Sequence, residues 1–251
     1  MLGLASSLST VGGVSEVLPS EISGLQIWLK NNTDIAVGQW NDQSGYGRHA
    51  VQADSDEQGT ISDGGLDMSG ADPEDHYQFS TDTTAELSLS GGQAFTVAAV
   101  VKREGSHLGA PAGDDNALFG GGGSAAYGPT FMSEEQITLS TRQTGATTST
   151  YNFGTDTWVI DTQFLITVTR DSSGNVKFFK NGVEQTVTSS TNPTNNSGNL
   201  VVRYLGARTN PALSTAYTFD GVIYEFIIYN AALSGGDLSN LNSYLTSKFG
   251  L

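Results

Sequence analysis

The chain has 251 residues, no cysteine, 31 glycines, and 11 basic against 26 acidic side chains, a formal net charge of −15. Without thiols there is neither a disulfide framework nor a thiolate metal site. A field of that sign repels phosphate backbones and anionic lipid surfaces, so neither nucleic acid nor a membrane is an expected partner. The length suits one large all-β domain, which commonly runs to about 200–250 residues. Glycine stands above its usual share of about 7 per cent and falls in turns and loops.

Residues 1–20, MLGLASSLSTVGGVSEVLPS, carry a single charge, Glu16. They lack the basic n-region of a signal peptide, and their longest apolar run is too short to span a membrane. Leu2, Leu4, Leu8, Val11 and Val14, with Val17 and Leu18 behind them, offer enough apolar surface to anchor on a neighbour but too little for a core. Residues 1–21 are therefore read as an N-terminal arm that docks on another subunit, and 22–251 as one domain. The plainer alternative is a loose leader or one more edge strand.

The stretch LQIWLK (25–30) leads into QWNDQSGYGRHA (39–50). Here Trp40 is expected in the core, Asp42 and Ser44 bond turn amides, and Gly45 and Gly47 supply unusual backbone angles. The same loop offers sugar-recognition chemistry: Asn41 and Asp42 for hydroxyls, Tyr46 for stacking. The acidic run DSDEQG (54–59) places oxygens at positions one, three and five of a calcium loop. Its twelfth position is Gly65, where a bidentate glutamate is needed, and no helices flank it. It reads as solvated loop charge, as do DPED (72–75) and the pair Asp114 and Asp115.

Short apolar runs punctuated by glycine and asparagine continue through the middle of the chain, an all-β pattern. VKFFK (176–180) and VEQTV (183–187) flank Asn181 and Gly182, residues that tolerate the positive φ angles of a type I′ turn. SSGN (172–175) joins that hairpin to TQFLITVTR, giving a three-stranded meander. Residues 222–229, VIYEFIIY, suit a strand covered on both faces, interrupted only by Glu225. Ser234 and Asp237 have the spacing of a capping box, and Leu238, Leu241, Leu245 and Phe249 follow at helical spacing until Gly250. A helix this short needs its apolar stripe docked on the sheet.

Motifs for catalysis or metal binding are missing. There is no GxSxG elbow, and the glycines at 120–123 lack the Lys and Ser or Thr of a phosphate loop. His49, His76 and His107 are scattered without metal-ligand spacing. No cofactor is expected.

The pieces IWLK, QWNDQSGYGRHA, FTVAAVVK (95–102), FLITVTRDSSGNVKFFKNGVEQ (164–185), YLGAR (204–208), and FDG (219–221) through YLTSKFGL (244–251) together resemble the concanavalin A-like lectin/glucanase superfamily in its laminin G-like form. The resemblance implies a two-sheet antiparallel jelly-roll sandwich with one C-terminal helix. It leaves function open, because that fold hosts lectins, hydrolases and structural modules. Calcium is the ion the superfamily often binds. Its glucanases carry carboxylates as ExDxxE on one strand face, a spacing absent here. Glu134 and Glu135 are adjacent and would point to opposite faces, and Glu225 stands alone with a structural role expected.

A laminin G-like domain behind an MLGL-type start also resembles structural proteins of tailed phages, especially those of marine bacteria. That likeness implies a non-enzymatic, multicopy virion protein, in capsid decoration, neck, baseplate or tail, held to other virion proteins by its arm and presenting a lectin-like face to a host glycan. The alternatives are a carbohydrate-binding adhesin and a divergent glycan hydrolase.

Overall fold

A computed structural model describes residues 16–68, 75–79, 87–89, 92–104, 116–121, 127–133, 136–142, 148–153, 159–191, 200–207 and 218–251. Leu2, Leu4, Leu8, Val11 and Val14 lie outside the described residues, as do Asp72, Glu74, His107, Asp114, Asp115, Glu134 and Glu135.

Two antiparallel sheets face each other across one core. The first has eight strands, running in space from Val183–Gln185 through Val176–Lys180, Gln163–Arg170, Phe95–Arg103 and Gly221–Tyr229 to Gly65–Met68 and Thr60–Ser62, with Leu25–Leu29 also on Gly221–Tyr229. The second has eleven strands and extends from Val187–Thr191 to Ile35–Ala36. A short pair, Leu87–Leu89 with Leu200–Val202, completes the described strands.

The central strand Phe95–Arg103 shows why these segments are apolar throughout. Val97, Ala99 and Val101 face the core between the sheets. Ala98 and Val100 face the opposite way, into a second cluster under the helix. Successive side chains of a strand point to opposite faces, so a strand buried on both sides has no room for polar alternation. Gly221–Tyr229 is likewise buried at every position.

The helix Gly235–Phe249 follows the expected apolar stripe, with Leu241, Tyr244 and Leu245 buried against the outer face of the first sheet. Gly250 ends it in the left-handed conformation at φ 68°, its N–H returned to the Thr246 carbonyl. The start differs from the capping-box reading. Ser234 occupies the N-cap, but its side chain makes no capping hydrogen bond.

The meander forms as its turn residues dictate. Asn181 at φ 49° and Gly182 at φ 79° take the two positive angles that a type I′ turn requires. Asp171 Oδ1 accepts the N–H groups of Ser173 and Asn175, each at 2.9 Å, and closes the preceding turn. Hydrogen bonding by Asn175 holds the Asp171 carboxyl below the usual carboxylate range.

The chain meets the sandwich just before the expected domain start. Val17 packs on the cluster under the helix, and Pro19 is buried with its carbonyl accepting the Tyr229 hydroxyl at 3.0 Å.

Leu241, fully buried, tests the docking of the helix. Leu241→Asp places an unpaired charge beneath it and should cost about 3–5 kcal/mol. A thermal midpoint equal to wild type would refute this packing.

Candidate glycan-binding recess

The loop after Trp40 is built around one carboxylate. Asp42 Oδ1 accepts the N–H groups of Trp28 and Ser44, each at 2.9 Å, and its Oδ2 accepts Ser44 Oγ at 2.6 Å and the Arg48 N–H at 3.0 Å. Its own N–H donates to His49 Nδ1 at 3.0 Å. Gly45 and Gly47 adopt φ 90° and 70°, angles that let the chain wrap around the carboxylate. Trp40 is fully buried and donates Nε1–H to the Lys30 carbonyl at 3.1 Å.

The three residues singled out for sugar contact therefore separate. Asp42 is buried, with both oxygens occupied by the loop itself, so it shapes the site rather than touching a ligand. Tyr46 is well exposed, and the Arg48 guanidinium lies 4.5 Å from its ring centroid. Asn41 alone lines a recess, an open hollow of about 530 Å³ shared with Asn32, Asp34, Ile35, Ala36 and Gln39. Asp34 belongs to a turn at φ 47°, and its carbonyl accepts the Asn41 N–H at 2.9 Å.

Hydrogen bonding inside the recess fixes which atoms remain for a ligand. Gln39 Nε2 donates to Asn41 Oδ1, and Gln43 Nε2 donates to Asp34 Oδ2 at 3.1 Å. Those contacts leave Asn41 Nδ2 as a donor beside Asp34 Oδ1 and Gln39 Oε1 as acceptors. A mixture of donors and acceptors spaced along a strand edge matches the hydroxyls of a sugar, each of which both gives and takes a hydrogen bond. Asn32, Asp34 and Gln39 carry no motif, and only the fold brings them beside Asn41.

Glu225 belongs to a different structure. It has 1% of its side chain exposed and accepts Trp28 Nε1–H at 2.8 Å, the Tyr244 hydroxyl at 3.2 Å and the Lys248 ammonium at 2.5 Å. Burial, reinforced by the Glu225 charge and hydrogen bond, pushes the Tyr244 hydroxyl well above its ordinary pKa. This carboxylate is sealed under the helix and cannot reach a glycosidic bond.

The acidic run at 54–59 folds as a 3-10 turn, Ser55–Glu57, in which the Asp54 side chain accepts the Asp56 N–H at 3.1 Å. His76 is buried, and its carbonyl accepts Gln52 Nε2 at 3.0 Å. Among the described residues no three His, Asp or Glu side chains stand close enough to hold a metal ion. No helix among them is long and apolar enough to cross a membrane.

The concanavalin A-like lectin/glucanases superfamily, through its laminin G-like profile, matches residues 72–239, and the chain belongs to that family. The binding domain of Paraclostridial Mosquitocidal Protein 1 superposes with a TM-score of 0.60 at 14% identity, over 90% of this chain and 52% of that one. The binding domain of botulinum neurotoxin serotype G gives 0.60 at 16%, over 88% of this chain and 51% of that one. Trypanosoma rangeli sialidase in complex with sialic acid gives 0.59 at 16%, over 92% of this chain and 35% of that one. The chain thus spans about half or less of these structures, and at such identity the likeness establishes a shared fold. No curated protein matches the chain in sequence.

Asp42→Ala should open the loop by stranding the buried Trp28 N–H and the part-buried N–H groups of Ser44 and Arg48, at a cost of about 2–3 kcal/mol. Unchanged stability to urea would show that the carboxylate does not organise the loop.

Proposed function

We propose that this protein is a non-enzymatic, glycan-binding structural component of a tailed-phage virion, displayed in many copies and attached through residues 1–15. The observation that carries the binding role is the recess at Asn41. It presents one amide donor and two acceptors on a fixed loop, while the buried Glu225 is withdrawn from any substrate. Membership of a lectin-like superfamily and the toxin binding domains among similar folds support the same reading.

The virion assignment rests on the resemblance to phage structural proteins and on the apolar character of Leu2, Leu4, Leu8, Val11 and Val14. Many copies on one particle multiply a weak glycan affinity through avidity, so an open recess of few contacts is sufficient. The acidic balance keeps such copies mutually soluble.

One experiment addresses both halves. Particles lacking the protein are reconstituted with wild type, with Asn41→Ala, or with a chain beginning at Glu16, then captured on immobilised host polysaccharide. Wild type should load and be retained. Asn41→Ala should load equally, with monomer affinity about five- to tenfold weaker. The shortened chain should fold and fail to load. Full retention by Asn41→Ala would remove the recess from the account, and full loading by the shortened chain would remove the arm. Release of reducing sugar by wild type would overturn the non-enzymatic reading.

A further inference from the structure

A second hollow, of about 400 Å³, lies between the C-terminal helix and the Asn181–Gly182 hairpin turn. Among the described residues it shares no lining residue with the recess at Asn41, and no ionisable side chain lines it, although the chain carries a formal charge of −15.

Its polar groups are held in place from below. Asn242 is 8% exposed, and its Oδ1 accepts the Thr167 hydroxyl at 2.8 Å. That bond turns Nδ2 towards the hairpin, where a Cβ at Gly182 would stand 4.0 Å from it. The two N–H donors of this amide make no hydrogen bond among the described residues. Asn181 is arranged in the same way. Its Oδ1 accepts the Leu165 N–H at 2.8 Å, leaving Nδ2 as a donor on the other wall.

With their oxygens anchored in this way, the two amide groups meet a ligand acceptor with donors oriented before binding, which lowers the ordering cost of the contact. Ser239 and Ser243, four residues apart on one exposed helix face, add two hydroxyls to the rim. Leu238 and Val183, the latter 65% exposed, supply apolar contact. Fixed amide donors beside small apolar surfaces match an acetamido group, whose carbonyl offers two lone pairs and whose methyl needs an apolar neighbour.

We infer that this groove is a second carbohydrate site, specific for a neutral glycan carrying N-acetyl groups. It rests on the glycan-binding reading above and deepens it by naming a ligand class.

The test is an NMR titration of the full chain with N-acetylglucosamine trisaccharide and, separately, with the unacetylated glucose trisaccharide cellotriose. The acetylated sugar should shift the amide signals of Gly182, Ser239 and Ser243 and the side-chain signals of Asn181 and Asn242. Cellotriose should bind there at least about tenfold more weakly. Asn242→Asp keeps the acceptor for Thr167 but removes both donors, and Ser243→Trp fills the groove from its exposed rim. Each should abolish the response while leaving signals from Asn32 and Asn41 unchanged.

Equal response to the two sugars would overturn the N-acetyl assignment. Shifts confined to residues 32–41 would overturn the second site and leave the proposed function standing. No response to either sugar, with host polysaccharide still captured through Asn41, would likewise overturn the second site alone.

Discussion

The arrangement depends on a buried carboxylate placed where a strand breaks step. Along the pairing of Gly221–Tyr229 with Phe95–Arg103, Ile223 lies opposite Val101 and Glu225 opposite Val100, so Tyr224 is an extra residue. A bulge of this kind sets two consecutive side chains on one face. Glu225 thereby turns to the helix side, between the part of its strand bordered by Gly65–Met68 and the part bordered by Leu25–Leu29. Burying a carboxylate costs several kcal/mol unless partners satisfy it. Trp28, Tyr244 and Lys248 do so together, and the Trp28 and Tyr244 rings meet edge to face at 6.3 Å. Strand, helix and first sheet are tied at one point.

Trp28 extends that tie to the recess. Its indole N–H donates to Glu225 and its backbone N–H donates to Asp42. The strand that pins the helix therefore also sets the height of the loop carrying Asn41. The Arg48 guanidinium adds a bond to the Gln26 carbonyl at 2.9 Å. The recess at Asn41 thus has one wall held in place by the fold itself.

Much of the fold is legible in the sequence because its signals are local. The Asn181–Gly182 turn, the doubly buried closing strand and the Leu241, Leu245 and Gly250 spacing each follow from residue type at fixed separation. The site was less legible. Asn41 and Tyr46 are neighbours in sequence, yet only Asn41 lines the recess, and Asp42 points inward to three loop donors and the Trp28 N–H. Asn32, Asp34 and Gln39 join Asn41 through turn geometry that no spacing rule encodes. The Asn242 and Asn181 pair was invisible for the same reason, since sixty residues separate two amides that strand Gln163–Arg170 orients together. Glu225 is recognisable in the sequence only as an interruption in an apolar run. Its partners became visible only once the helix was seen lying over the strand.

Glu225 is the polar pin of the sheet and helix, a stabilising role. Equilibrium urea unfolding of Glu225→Leu measures it. The substitution keeps apolar volume but strands the Trp28 and Tyr244 donors and the Lys248 ammonium. The account predicts a loss of about 3 kcal/mol with a single cooperative transition. Stability equal to or above wild type would contradict it, because the carboxylate would then be dispensable to the fold.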